Sequence, residues 1–139
     1  MATAPEQDLI THLASVIGPL VSNTNLFSGK VQEKSSTIPS ECVFVNPTGG
    51  EEPQAFFEDG SKIELRYSRL QVRIRSNPGE YNEGLTLARL VRDNIHHQGI
   101  AGYIDVAIVE GEPNHLSEDT TGHHDWSLNV LMRHEQARL

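Results

Sequence analysis

The sequence holds a single cysteine, Cys42, among 139 residues, which excludes an internal disulfide. Apolar residues are also scarce at 37%, below the usual range for a globular domain. One domain of this length can still bury a core. The expectation is therefore a thin core, or one completed by neighbouring subunits. Positive charge is short as well: 11 Lys and Arg against 19 Asp and Glu give a formal net charge of −8 and a pI of about 5.3. Such a chain is not built to grip phosphate backbones by bulk charge. No apolar run approaches the roughly 20 residues of a membrane-spanning helix. The opening residues, MATAPEQDL, lack the basic and apolar regions of a signal peptide. A soluble product made in a cytoplasm is the default. Internal repeats and low-complexity tracts are missing.

No catalytic set stands out. The cluster His115, His123, His124 and Asp125 invites a metal site, yet its spacing matches no closed zinc pattern, and a solvated loop is expected. His96 and His97 are adjacent at a helix end, point in different directions, and suit the negative end of the helix dipole. Cys42 sits in an apolar run as a small buried hydrophobe, with no base indicated nearby. Gly49-Gly50 does not open a phosphate loop, because no lysine or helix follows in the needed place. Lys62-Ile63-Glu64 runs the wrong way round for a nuclease-like acid–x–lysine arrangement. The expectation is no enzyme, no catalytic residue, no metal and no cofactor. A small cytoplasmic metal-dependent enzyme built on His123-His124-Asp125 stands as the alternative from another class.

What is present centres on Lys62–Gln98. In KIELRYSRLQVRIRS, Leu70, Val72 and Ile74 alternate with Arg69, Gln71, Arg73 and Arg75, the period of a strand with one buried face. Leu65 and Tyr67 alternate out of phase with Leu70, so a bulge or bend near Ser68 is expected. In the following stretch Leu87, Ala88, Val91 and Ile95 share a helical face, with Leu90 on its shoulder. Asn77 suits the N-cap, Pro78 the first helical position and Glu80 the capping-box acid. Gly99 should end the helix.

Elsewhere, Glu6–Leu20 predicts a helix with Leu9, Ile10, Leu13, Val16 and Ile17 as its apolar stripe, weakened at Gly18-Pro19. Residues Val21–Ser28 read as a polar connection and Lys30–Thr37 as exposed. Cys42–Val45 is a short buried strand ended by Pro47. Pro47–Ser61 is a long loop or splayed hairpin arm carrying Phe56 and Phe57. One phenylalanine can pin the arm locally while the other is presented to a partner. Ile100–Val109 holds a strand with Ile104, Val106 and Ile108 on its apolar face. Glu110–His124 is a polar connection. Trp126–Arg133 is the last strand, with Trp126, Leu128, Val130 and Met132 alternating. These elements make an α+β fold: a mixed, largely antiparallel sheet of four to five strands with two helices packed on one face. The chain is read as one domain, residues 1–139, with 1–5 and 134–139 as flexible tails. Arg69, Arg73 and Arg75 are either a solvated outer face or, in so acidic a protein, a surface that meets carboxylates of a neighbouring subunit. Together with Phe56 and Phe57 they form the candidate assembly interface.

VFVNPTGG, KIELRYSRLQVRIRS, YNEGLTLARLVRDNI and HDWSLNVLMR, taken together, resemble the tail-terminator family of long-tailed bacteriophages, often labelled minor capsid proteins. The residues that carry the resemblance are Gly49, Gly50, Tyr67, Val72, Arg75, Ala88, Leu90, Trp126 and Asn129, over roughly Leu9 to Arg133. Ser68 stands where the family pattern has proline. The resemblance implies a virion protein of the tail or neck, assembled in the host cytoplasm. It implies a ring, usually a homohexamer, at the head-proximal end of the tail tube. That ring would stop tube polymerisation, join the tail-tube protein to a head-completion or connector protein, and let genome DNA pass without specific binding. A head-completion protein one ring nearer the capsid is the alternative within the class.

Overall fold

A computed structural model describes residues 4–22, 24–28, 39–58, 61–109 and 111–137; the side chains of 50–58, 61–64 and 136–137 fall outside that description. The expected exposed stretch Lys30–Thr37 lies outside the described residues, as do the side chains of Phe56 and Phe57. The elements run α1 (Pro5–Val16), β1 (Leu26–Ser28), β2 (Cys42–Glu58), β3 (Ser61–Arg75), α2 (Tyr81–Asp93), β4 (Asp105–Ile108), β5 (Asn114–Glu118) and β6 (His124–Ala137). The fold is α+β, with two helices among the described residues and a mixed, mostly antiparallel sheet.

Among the described residues the sheet has six strands where the sequence suggests four to five. Its order is β1-β2-β3-β6-β4, with β5 also paired to β6. The additions are β1 and β5, inside stretches expected to be polar connections. Both escape a periodicity search: β1 has three residues, and every residue of β5 is exposed. Among the described strands, only β1 and β2 run parallel. β6 forms an uninterrupted antiparallel ladder with β3, from Ile63↔Ala137 to Arg75↔Asp125. Pairing therefore continues past Arg133, where the apolar alternation ends.

That unbroken ladder corrects the expected bulge near Ser68. The irregularities lie in the partner strand, between Pro47 and Gly50 and between Glu51 and Gln54. Each places one extra residue on β2, opposite Arg69 and Arg66 respectively. Leu65 and Tyr67 consequently stay in phase with the arginines and are half-buried beside them. Pro47 does not end its strand either. It pairs with Leu70, and the chain continues to Glu58↔Ser61 as a long β-ribbon. The adjoining bulge accommodates the missing N–H donor.

The second helix starts later than the capping pattern suggests. Asn77–Glu80 forms a turn, with the Glu80 N–H donating to the Asn77 carbonyl at 3.1 Å. Gly79 has φ 73°, which no right-handed helix contains, so Glu80 takes the N-cap position. The end is earlier too: the helix stops at Asp93 and a turn follows, with His97 at φ 54° rather than Gly99 marking the break.

The core lies between the helices and one face of the sheet. Leu9, Ile10, Leu13 and Ile17 from α1 and its end, with Ala88, Val91 and Ile95 from α2 and its end, meet Val43, Val45, Leu70, Val72, Ile74, Leu128, Val130 and Met132. Val16 and Leu90, expected in the stripes, are exposed at the margins of their helices. Gly84 is the unexpected member. A Cβ there would stand 2.7 Å from both Ser76 Cβ and Trp126 Cη2, so only glycine lets α2 approach the indole.

Candidate assembly interface

Alternation on β3 decides what the second sheet face carries. Residues directly opposite across a ladder share a face. Arg73 thus stands in a row with Phe44 and Ser127, Gln71 with Asn46 and Asn129, Arg69 with Leu131, and Tyr67 with Arg133. Leu131 and Arg133 continue the rows to Ala107 and Asp105 on β4. At the β1 edge, Phe27 and Phe44 stack with centroids 5.8 Å apart. Both helices pack on the other face, so among the described residues no helix covers this one.

The three candidate arginines share this face but differ in situation. Arg75 is directed at its own chain: Nε donates to the Ser40 carbonyl at 2.8 Å and Nη2 to the Pro39 carbonyl at 2.7 Å. It thereby ties down the entry to β2 and roofs the Cys42 thiol. Burial, opposed by the Arg75 charge, pushes that thiol up to about 11. Such a thiol is a packed hydrophobe, not a nucleophile. Arg73 reaches Asp125 at 3.6 Å and remains 44% exposed. Arg69 is exposed on the same strand, four residues away. The ribbon holding Phe56 and Phe57 continues the sheet at the far end: their backbones pair with Ile63 and Lys62.

The histidine-rich stretch does not converge. His115 Nε2 and His124 Nδ1 lie 3.1 Å apart, on the helix-bearing face beside Tyr81 and Trp126. His123 is held by Asp119, four residues earlier, at 3.0 Å. Asp125 belongs to the opposite face with Arg73. Asp119 is itself gripped by the Thr121 hydroxyl and by the amides of His123 and Thr121, which hold its carboxyl down at about 2. Among the described residues no three ligating side chains gather as a metal site would require.

At the end of α2, His96 Nδ1 accepts from the Ile108 N–H at 3.0 Å, which makes the ring part of the β4 junction. Burial first, then the neighbouring charges of His97 and Arg92, lower its pKa. His12 Nε2 meets the Asn94 carbonyl at 2.7 Å and so ties α1 to the same helix end. Sequence reasoning missed the Tyr81–His115–His124–Trp126 ring cluster. The available signal was the small residue Gly84 one turn ahead of Ala88, in line with the sole tryptophan of the chain.

No family model matches this sequence, and no curated protein matches it. Among solved structures, the fold is similar to that of a chain in the virion of a native gene transfer agent (GTA) particle, with a TM-score of 0.62 over 96% of each chain at 11% identity.

Proposed function

We propose that this chain is a structural virion protein, not an enzyme. It forms a ring, a homohexamer, at the head-proximal end of a phage tail. The ring ends tail-tube polymerisation and joins the tail to the head. The observation that supports this most is the end-to-end likeness to a chain of a gene transfer agent virion, which leaves almost none of either chain unmatched. The tail-terminator pattern in the sequence supports the same reading independently. So does the distribution of apolar surface: one sheet face is buried under helices, and the other carries exposed and half-buried polar and aromatic residues suited to contact. The net charge of −8 suits a conduit for DNA, since like charge disfavours retention of phosphates.

In this role the ribbon of β2 and β3 is the contact arm, and Phe56 and Phe57 are its aromatic anchors. Deleting Glu51–Glu58 leaves β3 paired to β6 along its length, so the body stays folded. The test mixes purified chain with tail-tube protein and measures tube length by electron microscopy. Wild-type chain should shorten tubes to a uniform length; the deletion variant should not. Binding to a portal-side protein with no effect on tubes would instead make the chain a head-completion protein.

A further inference from the structure

A strand at the edge of a sheet invites pairing with another chain unless it is blunted. β4 is such an edge. One side is laddered to β6, and among the described residues no other strand pairs with it. It lies within the stretch IDVAIV, residues 104–109, where Asp105 is the sole charge. Ile104 is 51% exposed and Val109 61%, so large β-branched residues meet solvent at both ends of the strand. Short β-prone segments of low charge are the ones that associate strand to strand.

The outer side of β4 is nonetheless occupied. The turn after α2 supplies the partners: the His97 N–H donates to the Val106 carbonyl at 2.8 Å, and His96 Nδ1 accepts from the Ile108 N–H at 3.0 Å. Alternation sends the backbone groups of Val106 and Ile108 outward and those of Ala107 toward β6. The turn therefore caps the middle of the edge. His97 adopts the left-handed φ of 54° in doing so. His12 of α1 holds the same turn through the Asn94 carbonyl at 2.7 Å.

The bond to His96 depends on charge state. Nδ1 accepts only while it carries no proton; protonated, it sets N–H against N–H. Around it stand Arg92 and Asp93 of α2, the stacked His97 ring with centroids 4.0 Å apart, and Asp105 of β4. Arg133 of β6 lies opposite Asp105, and His12 faces the turn from α1. Burial, then the charges of His97 and Arg92, oppose the proton, and Asp105 favours it less strongly.

We infer that the His96–His97 turn is a proton-released plug on the β4 edge, and that the uncovered edge pairs with the same edge of a second copy. The uncovered groups are self-complementary. With a two-fold axis at Ala107, the Ile108 N–H of each copy meets the Val106 carbonyl of the other in an antiparallel pair. Once open, the His96 ring binds a proton at the ordinary value of 6.5, so opening is favoured as pH falls below it. This device is independent of the ring reading above.

The test begins with residue-resolved hydrogen exchange on dilute full-length chain at pH 7.5 and pH 5.5. Protection of the Ile108 amide should fall about tenfold in acid, as linkage to one proton allows, while Ala107 keeps its protection. His96→Asn, whose amide oxygen accepts without titrating, should hold Ile108 protection constant. His96→Ala should be poorly protected at both pH values. At higher concentration, sedimentation velocity should show association of wild type about tenfold tighter at pH 5.5 than at pH 7.5. Ala107→Lys sets like charges opposite each other on the two-fold axis, and should abolish that association while Ile108 still exchanges as in wild type. Ile108 protection independent of pH in wild type overturns the plug. Protection lost without association overturns the second copy as its occupant. So does association that His96→Asn shares, since a chain of pI about 5.3 then merely clusters as its net charge vanishes.

Discussion

The two faces of the central sheet are made by the same strands and differ in nearly every property. On β3, Leu70, Val72 and Ile74 are buried, while Gln71 and Arg75 are half-buried and Arg73 is exposed. On β6, Leu128, Val130 and Met132 are buried against the helices, whereas Asn129, Leu131 and Arg133 are half-buried on the other side. One face supplies the core; the other supplies directional polar groups. Core packing and exposed polar groups are therefore separated by a single residue step, because successive strand side chains point to opposite faces. Substitutions at even positions of β3 from Leu70 to Ile74 should act on folding. Those at odd positions should act on contacts.

The sharpest way to break this contrast is to put a charge into the covered layer. Val91 is fully buried on α2. Val91→Asp should cost about 3–5 kcal/mol, the scale for an unpaired buried charge, and a thermal melt should show a large fall or no folded protein. An unchanged melting temperature would remove the layer description. Gly84→Ala comes next. The added methyl group collides with Ser76 and Trp126 and should cost about 1–3 kcal/mol, although alanine is the better helix former. Chemical denaturation would measure it; a stabilised variant would mean that α2 can shift.

Acid should loosen the covered side through His96. Its lowered pKa means that protons bind more readily in the unfolded chain. The stabilisation is fully present above the ordinary value of 6.5 and is lost as pH falls below it. The melting-temperature gap between wild type and His96→Ala should accordingly shrink between pH 8 and pH 5. A constant gap would show that the acceptor role of Nδ1 contributes nothing. On the open face, Arg73→Gln should change stability by less than about 1 kcal/mol, because its ion pair with Asp125 is largely solvent-screened. Chelator should have the smallest effect of all, with no change in melting temperature. A drop reversed by zinc would reveal a metal tied to folding.

Much of this architecture was legible where periodicity is long and clean. The alternation of β3 and of Trp126–Met132 locates the central strands and their buried faces, and the α2 stripe locates Ala88, Val91 and Ile95. Boundaries were less legible, because they are set by single residues. Gly79 moves the helix start by its backbone conformation, not by any pattern. The two β2 bulges defeat a strand assignment that looks for regular alternation, so the ribbon resembles a loop in sequence. β1 and β5 owe their pairing to β2 and β6 and have no apolar period of their own. The arginine face was visible in the sequence, but the diversion of Arg75 to the carbonyls of Pro39 and Ser40 was not, since those partners lie 35 and 36 residues away.

Trp126 is the only tryptophan of the chain, and it is fully buried where Gly84 admits the indole against α2, with the Tyr81 ring 5.3 Å away. The protein consequently contains its own spectroscopic probe. Excited at the red edge of the absorption band, where tyrosine does not absorb, it emits from the seam between α2 and the sheet. A red shift on unfolding reports separation of that seam without any label. An emission spectrum that stays constant during assembly would mean that joining copies leaves the seam closed.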